Sequence, residues 1–208
     1  MTRPPRSRAD ALFACLLAGS ALLLYGSTAY PTLAGTDSAE LAGAAWTWGV
    51  PHAPGYPLYT LLTGAFQHGF GLVFAAEPAR LANLASAAYG AAAIGLLFLL
   101  GRRLRLTRAA SAAAALTLLG STTFWSQANV AEVYTLDALL LVAVLHSLAS
   151  RAPAGGQAGL LVGLWVGHRV TNLLLLPMLL GCRGEDRQSG GRRLRFAGAF
   201  VLSLLVYL

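Results

Sequence analysis

Apolar residues fill most of the chain and fall into eight runs separated by short polar segments. The first run, 11–30, follows a basic start and has about the 20 residues that a helix needs to cross a bilayer. A signal peptide has a shorter apolar core of about 7–15 residues, which ends at a small-residue cleavage site. This run ends in Tyr30-Pro31, so it predicts a retained first membrane helix. The other runs cover roughly 57–76, 81–101, 109–124, 133–150, 157–167, 171–182 and 196–208.

The composition agrees with a membrane protein. Of the 208 residues, 56% are hydrophobic and 11% are charged, whereas a soluble domain carries about 25% charged residues. So few charges cannot cover a water-soluble globule, and we expect an all-α polytopic membrane protein. The last run stops at residue 208, short of a full span, which predicts that 1–208 is the truncated N-terminal part of one transmembrane domain.

The net charge of +7 comes from 15 Arg, with no Lys, against eight acids. These Arg residues lie between apolar runs rather than along one face, which is typical of topology signals and not of a nucleic-acid surface. We therefore expect a lipid bilayer as a partner and no nucleic acid. Cys15 lies in an apolar run and Cys182 beside an Arg-rich loop, so neither a framework disulfide nor a zinc site is expected.

The positions of the Arg residues also predict the topology. If every long run crossed the membrane from a cytoplasmic N-terminus (1–10), the Arg cluster at 102–108 would lie outside, against the positive-inside rule. The conflict disappears if 57–76, which contains several Gly and polar residues, is an amphipathic helix along the outer interface. The segment 31–80 then becomes an outer loop with juxtamembrane helices, 81–208 holds the further spans, and only Arg80 and Arg169 are not inside. The short arms of 157–182 predict a hairpin whose turn lies within the membrane or in a cavity open to the outside.

Asp37 and Glu40 are the first candidate chemical groups, in the outer loop. Their spacing places both carboxylates on one face of a helix that begins near Asp37. One interpretation is a simple capping box, with Asp37 as the cap and Glu40 completing it. The other is a functional pair, which binds a cation or removes a proton from a reacting hydroxyl. Spacing alone leaves both open.

The segment 52–59, His-Ala-Pro-Gly-Tyr-Pro-Leu-Tyr, is a more specific signal. Its two prolines restrict the preceding residues to extended conformations, and its glycine permits a tight turn. We expect a rigid corner that displays His52, Tyr56 and Tyr59 and leads into the interfacial helix. For Tyr59 we prefer an ordinary position in an interfacial aromatic belt.

Polar residues also occur at the outer ends of two later runs. Glu132 lies at the mouth of the run 133–150, and Asp137 follows Tyr134 by about one helical turn. An acid inside a span usually faces a cavity or a partner, although Asp137 could also reach the outer surface. At the hairpin turn His168 precedes Arg169, an isolated outer-side cation for which Glu132, Asp137 or a lipid phosphate is the expected partner.

Three segments together resemble a known family. Asp-Ser-Ala-Glu at 37–40, the corner at 52–59 and Phe-Trp-Ser-Gln-Ala-Asn-Val-Ala-Glu-Val-Tyr-Thr-Leu at 124–136 are similar to the domain of unknown function 2723 family. That family includes the transmembrane protein 260-like protein O-mannosyltransferases and belongs with the GT-C membrane glycosyltransferases. The likeness covers about 10–182 and implies a GT-C-like transmembrane helix bundle with juxtamembrane helices in the first outer loop.

The resemblance also implies an enzyme and the roles of its residues. It predicts transfer of a sugar, with mannose as the candidate, from a polyprenyl-phosphate donor to a hydroxyl of a protein or glycan. The reaction would take place on the outer face of a multi-pass protein, with a bacterial inner membrane as the expected location. Asp37 is the expected general base and Glu40 its companion, and these two are the ligands if a divalent metal ion takes part. The expected substrate-binding residues are His52, Tyr56, Glu132, Tyr134, Asp137, His168 and Arg169, the last two toward the donor phosphate.

Two other classes of function remain open from the sequence. A transporter or channel would also explain Asp137, Arg169 and a broken hairpin within the membrane. A non-catalytic membrane scaffold would leave Asp37 and Glu40 as helix caps. Symmetry-related broken helices would favour the transporter, whereas burial of the two acids together in an outer-side cavity would count against the scaffold. We expect the truncated chain by itself to be inactive.

Overall fold

The computed structural model describes residues 8–35, 37–150, 155–175, 177 and 190–207, and within these ranges the chain is helical with no strand. Short 3₁₀-helices at Val170–Leu175 and Leu205–Tyr207 follow the last two α-helices. The predicted all-α class is confirmed. The helices are α1 (Arg8–Thr28), α2 (Ser38–Thr47), α3 (Pro57–Gly71), α4 (Pro78–Arg103), α5 (Arg108–Leu119), α6 (Thr122–Ala128), α7 (Tyr134–Leu148), α8 (Gly155–His168) and α9 (Gly190–Leu204).

Two of the described helices are long and apolar enough to cross a membrane. They are α1, with 21 residues, and α4, with 26, and they coincide with the predicted spans 11–30 and 81–101. The apolar helices α5 and α7 have 12 and 15 residues. At about 1.5 Å per residue they extend about 18 and 22 Å, less than the ~30 Å hydrocarbon core. Crossings by α5 and α7 therefore stay predictions.

The apolar run 109–124 contains two helices in the structure. The α5 helix ends at Leu119, and a new helix, α6, begins at Thr122. The hydroxyl of Ser121 accepts a hydrogen bond from the backbone N–H of Phe124 at 3.4 Å, which caps the start of α6. Ser121 therefore separates two helices within a segment that the hydropathy pattern shows as one apolar run.

Helix α4 lies at the centre of the described structure, in contact with α1, α2, α3, α5, α6 and α7. One apolar core joins α1, α4, α5 and α6 around Tyr25, Ile94 and Phe98. A second joins α2, α3, α7 and α8 around Tyr59 and Trp165. Tyr59 is fully buried at 0% exposure, so its predicted place in an interfacial belt is wrong. Its ring faces inward because α3 packs against α4 and α8.

The segment between α1 and α4 forms the packed helix pair α2–α3. The buried side chain of Gln67 on α3 holds this pair in place. Its amide donates to the carbonyl of Ala42 at 3.1 Å and to that of Pro78 at 2.9 Å. One side chain thus connects α2, α3 and the first residue of α4. A helix within 57–76 was expected and is present as α3, and its position along a membrane interface stays a prediction.

The last helices pack closely through a row of small residues. Gly159, Gly163 and Gly167 lie four residues apart along α8. A Cβ atom at these positions would clash with the Phe196 carbonyl, the Ser203 side chain and the Tyr207 ring. The absence of side chains thus lets α9 and the turn after it approach the α8 backbone. The first predicted hairpin arm is α8. Of the second arm, 171–182, the described part is 171–175 and residue 177, and Cys182 lies outside the described residues.

Candidate active site

Asp37 and Glu40 lie at the start of α2, but they do not form the capping box. Asp37 occupies the N-cap position, and its side chain makes no capping hydrogen bond among the described residues. Its backbone carbonyl accepts from the N–H of Leu41 at 2.9 Å, which begins the helix. The Asp37 side chain is 59% exposed and therefore accessible to a substrate. Glu40 contacts His52.

Both carboxylate oxygens of Glu40 bind His52. One accepts the backbone N–H of His52 at 2.6 Å, and the other lies 2.9 Å from ring Nδ1. The opposite ring atom, Nε2, lies 3.8 Å from Oδ2 of Asp37. The hydrogen bond to Glu40 raises the pKa of His52 above its usual 6.5. The same bond holds the pKa of Glu40 below its usual 4.5.

The corner between α2 and α3 is sharp, as its sequence predicts, but the extended conformation expected before Pro57 is wrong, because Tyr56 is left-handed with φ +41° and ψ +50°. Gly55 has φ +89°, in the region that glycine favours, and its N–H donates to the carbonyl of His52 at 2.8 Å. Tyr56 has φ +41° and Pro57 follows as the first residue of α3. A tyrosine in the left-handed region is uncommon and strained. The corner holds His52 and Tyr56 side by side, with ring centroids 5.6 Å apart.

Tyr56 connects the first outer segment with the end of α8. Its ring makes an edge-to-face contact with His168 at 6.1 Å between centroids. Burial raises the pKa of the Tyr56 phenol, and the positive charge of Arg169 partly offsets this. The charges of Asp37 and Glu132 act on the same phenol in the opposite sense to Arg169. Tyr56 is therefore the residue at which the separate polar segments of the sequence meet.

Arg169 is held by two residues from the start of α7. Its guanidinium lies 3.6 Å from a carboxylate oxygen of Asp137 and 4.8 Å from the centre of the Tyr134 ring. The other carboxylate oxygen of Asp137 accepts from the Asn172 amide at 2.7 Å. Of the partners considered for Arg169, the structure pairs it with Asp137. The carboxylate thus has protein partners and does not extend alone to a surface.

Glu132 and His168 are the buried members of the site. Glu132 is 7% exposed, and its backbone N–H donates to the hydroxyl of Ser86 on α4 at 3.3 Å. Its negative charge also contributes to the raised pKa of His52. His168 is fully buried, and its Nε2 atom donates to the carbonyl of Val133 at 3.1 Å. The structure brings eight of the nine predicted residues together through contacts or as chain neighbours: Asp37, Glu40, His52, Tyr56, Tyr134, Asp137, His168 and Arg169. Their catalytic and substrate-binding roles stay predictions.

Two asparagines that position this site were not assigned from the sequence. The Asn172 amide donates to the carbonyl of Trp165 at 2.8 Å as well as to Asp137. Asn83 on α4 donates to the carbonyls of Tyr30 and Thr32 and accepts the N–H of Ala131. It thereby joins the segment after α1 to the segment before α7. A polar residue inside the apolar run 81–101 is the signal that could have identified Asn83.

The side chains present do not fit a metal site. Within the described ranges no group of three or more His, Cys, Asp or Glu side chains is arranged to hold a metal ion. Glu40 uses both oxygens on His52, which leaves Asp37 as the accessible carboxylate of the expected pair. We therefore derive no step through a metal ion.

Fold and site define a helical protein with two candidate membrane helices and one polar site assembled from distant segments. Residues 37–182 match the family described as the protein O-mannosyl-transferase TMEM260 N-terminal domain. The chain belongs to this family, which confirms the resemblance found in its motifs.

Two curated relatives share part of the chain. The protein O-mannosyl-transferase TMEM260 of Mus musculus is 38% identical over 122 residues, 58% of this chain and 16% of the relative. The protein O-mannosyl-transferase tmem260 of Dictyostelium discoideum is 45% identical over 53 residues, 26% of this chain and 6% of the relative. The chain thus spans less than a fifth of the length of either relative. No solved structure matches significantly.

Proposed function

We propose that this chain carries the acceptor site of a membrane glycosyltransferase of the GT-C type. The sugar, with mannose as the candidate, would come from a polyprenyl-phosphate donor and go to a hydroxyl group of a protein. Membership of the TMEM260 N-terminal domain family supports this, and both matched relatives are named protein O-mannosyl-transferases. The location we propose is the outer face of a multi-pass protein in a bacterial inner membrane.

The observation that carries the proposal is the common environment of an acid and a cation from distant parts of the chain. Asp37 lies 3.8 Å from the ring of His52, which contacts Tyr56. Tyr56 in turn contacts His168, the residue before Arg169. Transfer from a sugar phosphate needs a base near the attacking hydroxyl and a positive charge near the departing phosphate. Asp37 and Arg169 are groups of these two kinds, and the contacts of Tyr56 with His52 and His168 connect the segments that carry them.

The proposed reaction is an inverting displacement. Asp37 takes the proton of the acceptor hydroxyl while the hydroxyl oxygen attacks the anomeric carbon of the sugar. The bond between that carbon and the phosphate oxygen breaks, and polyprenyl phosphate leaves with the electron pair. Arg169 binds the phosphate by charge-assisted hydrogen bonds. Asp137 and Tyr134 hold the guanidinium in place. Glu132 and His168 are the buried residues of the site.

The test is Asp37→Asn in the full-length protein. Because general base catalysis contributes about 10²–10⁴-fold, we expect a loss of that size in transfer of labelled mannose from polyprenyl phosphate to an acceptor protein. Membrane insertion should be unchanged. The matched control is Glu77→Gln, since Glu77 is an exposed acid at the start of α4 that makes no capping hydrogen bond. Full activity of the Asp37 variant would remove this residue as the base.

A further inference from the structure

We propose that Glu40 is a positioning residue that fixes the tautomer of His52, so that Nε2 of the neutral imidazole is a hydrogen-bond acceptor aimed at the substrate beside Asp37. This inference rests on the proposed function, because it takes the substrate to be the acceptor of the transferase. It assigns different tasks to the two acids, because Asp37 meets the reacting hydroxyl and Glu40 acts through His52.

The argument begins with the two hydrogen bonds between Glu40 and His52. A carboxylate accepts hydrogen bonds but donates none. The oxygen 2.9 Å from Nδ1 therefore requires that Nδ1 carries the proton. In the neutral ring the lone pair is then on Nε2. The second bond, from the backbone N–H of His52 at 2.6 Å, fixes the carboxylate itself, so the ring and its anchor form a single rigid unit.

In this tautomer the Nε2 atom is placed to accept a hydrogen bond from a substrate beside Asp37. It lies 3.8 Å from Oδ2 of Asp37, which is too long for a hydrogen bond between them. Two acceptors at this separation can bind a substrate that offers two neighbouring donors. The reacting hydroxyl binds Asp37, and a second O–H or N–H of the substrate binds Nε2. Exposure of the Asp37 side chain leaves room for such a substrate to approach.

Glu40→Gln separates positioning from general structural support. The glutamine oxygen can still accept the backbone N–H of His52, and its amide then donates to Nδ1. The ring proton must move to Nε2, which becomes a donor toward the substrate. In the reverse orientation the amide and the backbone N–H would be two donors facing each other. The variant therefore keeps nearly the same shape and inverts the polarity of the atom beside Asp37.

The readout is the tautomer of His52, observed by long-range ¹H–¹⁵N NMR of the full chain labelled with ¹⁵N-histidine. His52→Asn identifies its signals among those of the four histidines. Spectra are compared above the pH at which His52 loses its proton in each variant, because Asp37, Glu40 and Glu132 all favour the charged ring. Among the described residues, the titratable phenol of Tyr56 also contacts the ring.

We expect the native ring to carry its proton on Nδ1, Glu40→Gln to carry it on Nε2, and the control Glu77→Gln to match the native ring. In the full-length protein, assayed above the pH at which His52 loses its proton, transfer activity should fall at least about tenfold in Glu40→Gln. It should recover in part in Glu40→Asp, which keeps a carboxylate. A native proton on Nε2, or unchanged activity after the switch, would overturn the proposal. A tautomer switch together with no sugar transfer by the native full-length protein would support the positioning role of Glu40 and contradict the proposed function instead.

Discussion

Asp137 shows how single side chains assemble this site. Its two carboxylate oxygens serve different partners, Arg169 on one side and the amide of Asn172 on the other. The same amide also reaches the carbonyl of Trp165, inside α8. The turn after α8 is therefore attached both to its own helix and to α7. Arg169 follows the last residue of α8, so its guanidinium depends on these bonds for its direction.

The role of Asn172 can be tested by Asn172→Ala. This side chain is buried, and its removal leaves the Trp165 carbonyl and an oxygen of Asp137 without their donor. The loss of such bonds costs about 1–3 kcal/mol, so we expect a lower apparent melting temperature in detergent. The control is Thr117→Ala, since Thr117 is exposed and bonds only within its own helix turn, to Ala113. Equal melting temperatures for the two variants would contradict this role.

At the residue scale the sequence indicated the candidate polar residues but not which of them are partners. Asp37, Glu40 and His52 were recognisable as polar groups in an apolar chain, and a capping box was as reasonable as a functional pair. Glu40 instead contacts a residue twelve positions away. That contact depends on the corner between α2 and α3, which brings the loop back over the start of α2. Helical spacing describes neighbours within one helix and carries no information on contacts between a helix and a later loop.

Among the helices, the α8–α9 pair shows the strongest dependence on side-chain size. The glycines along α8 were not identified as a packing surface from the sequence, where they read as part of an apolar run. Small residues every fourth position allow two backbones to approach closely. The Tyr207 hydroxyl, just after α9, completes this contact by donating a hydrogen bond of 2.7 Å to the carbonyl of Leu164.

We expect Gly159→Ala to destabilise this pair. The added Cβ would meet the backbone of Phe196, with its carbonyl carbon at 2.9 Å and its Cα at 3.0 Å. Overpacking of this kind costs about 1–3 kcal/mol, more than the ~1 kcal/mol that alanine gains in helix propensity. Thermal unfolding of the purified protein measures the net effect.

The control for this prediction lies on the same helix. At Gly156 an added Cβ meets nothing within 4 Å, so Gly156→Ala should keep or raise the melting temperature. If both variants were equally stable, the close approach of α8 and α9 would not be a feature of the folded protein.

For the whole molecule, the two candidate membrane helices have different surroundings. Helix α1 exposes apolar side chains such as Leu12, Leu16 and Leu23, as contact with lipid would require. Helix α4 is mostly covered by the other helices. At the end opposite to Asp37, Asp10 binds Arg108 at 2.7 Å and Arg102 at 3.3 Å. These ion pairs join the start of α1 to the arginine cluster at 102–108, which the sequence predicts to lie on the cytoplasmic side.

The predicted topology can be measured by cysteine labelling. Val50→Cys and Leu104→Cys introduce thiols at positions that are 84% and 57% exposed, in a background without Cys15 and Cys182. Since the positive-inside rule places the arginine cluster in the cytoplasm, a membrane-impermeant maleimide should label Cys at position 50 in intact spheroplasts. Position 104 should react only after the membrane is permeabilised. Labelling of both positions from one side would contradict the topology.

The amino-acid sequence by itself determined the helical class, the approximate bounds of α1 and α4 and the family, and it indicated which polar residues are candidates for chemistry. These depend on local composition, hydropathy and short motifs, which can be read along the chain. Only the tertiary structure decided that Tyr59 is buried, that Ser121 begins a separate helix, and which groups are partners across distant segments. The Glu40–His52 and Asp137–Arg169 pairs form because helices pack around α4 and α8, and packing depends on contacts between residues far apart in the sequence.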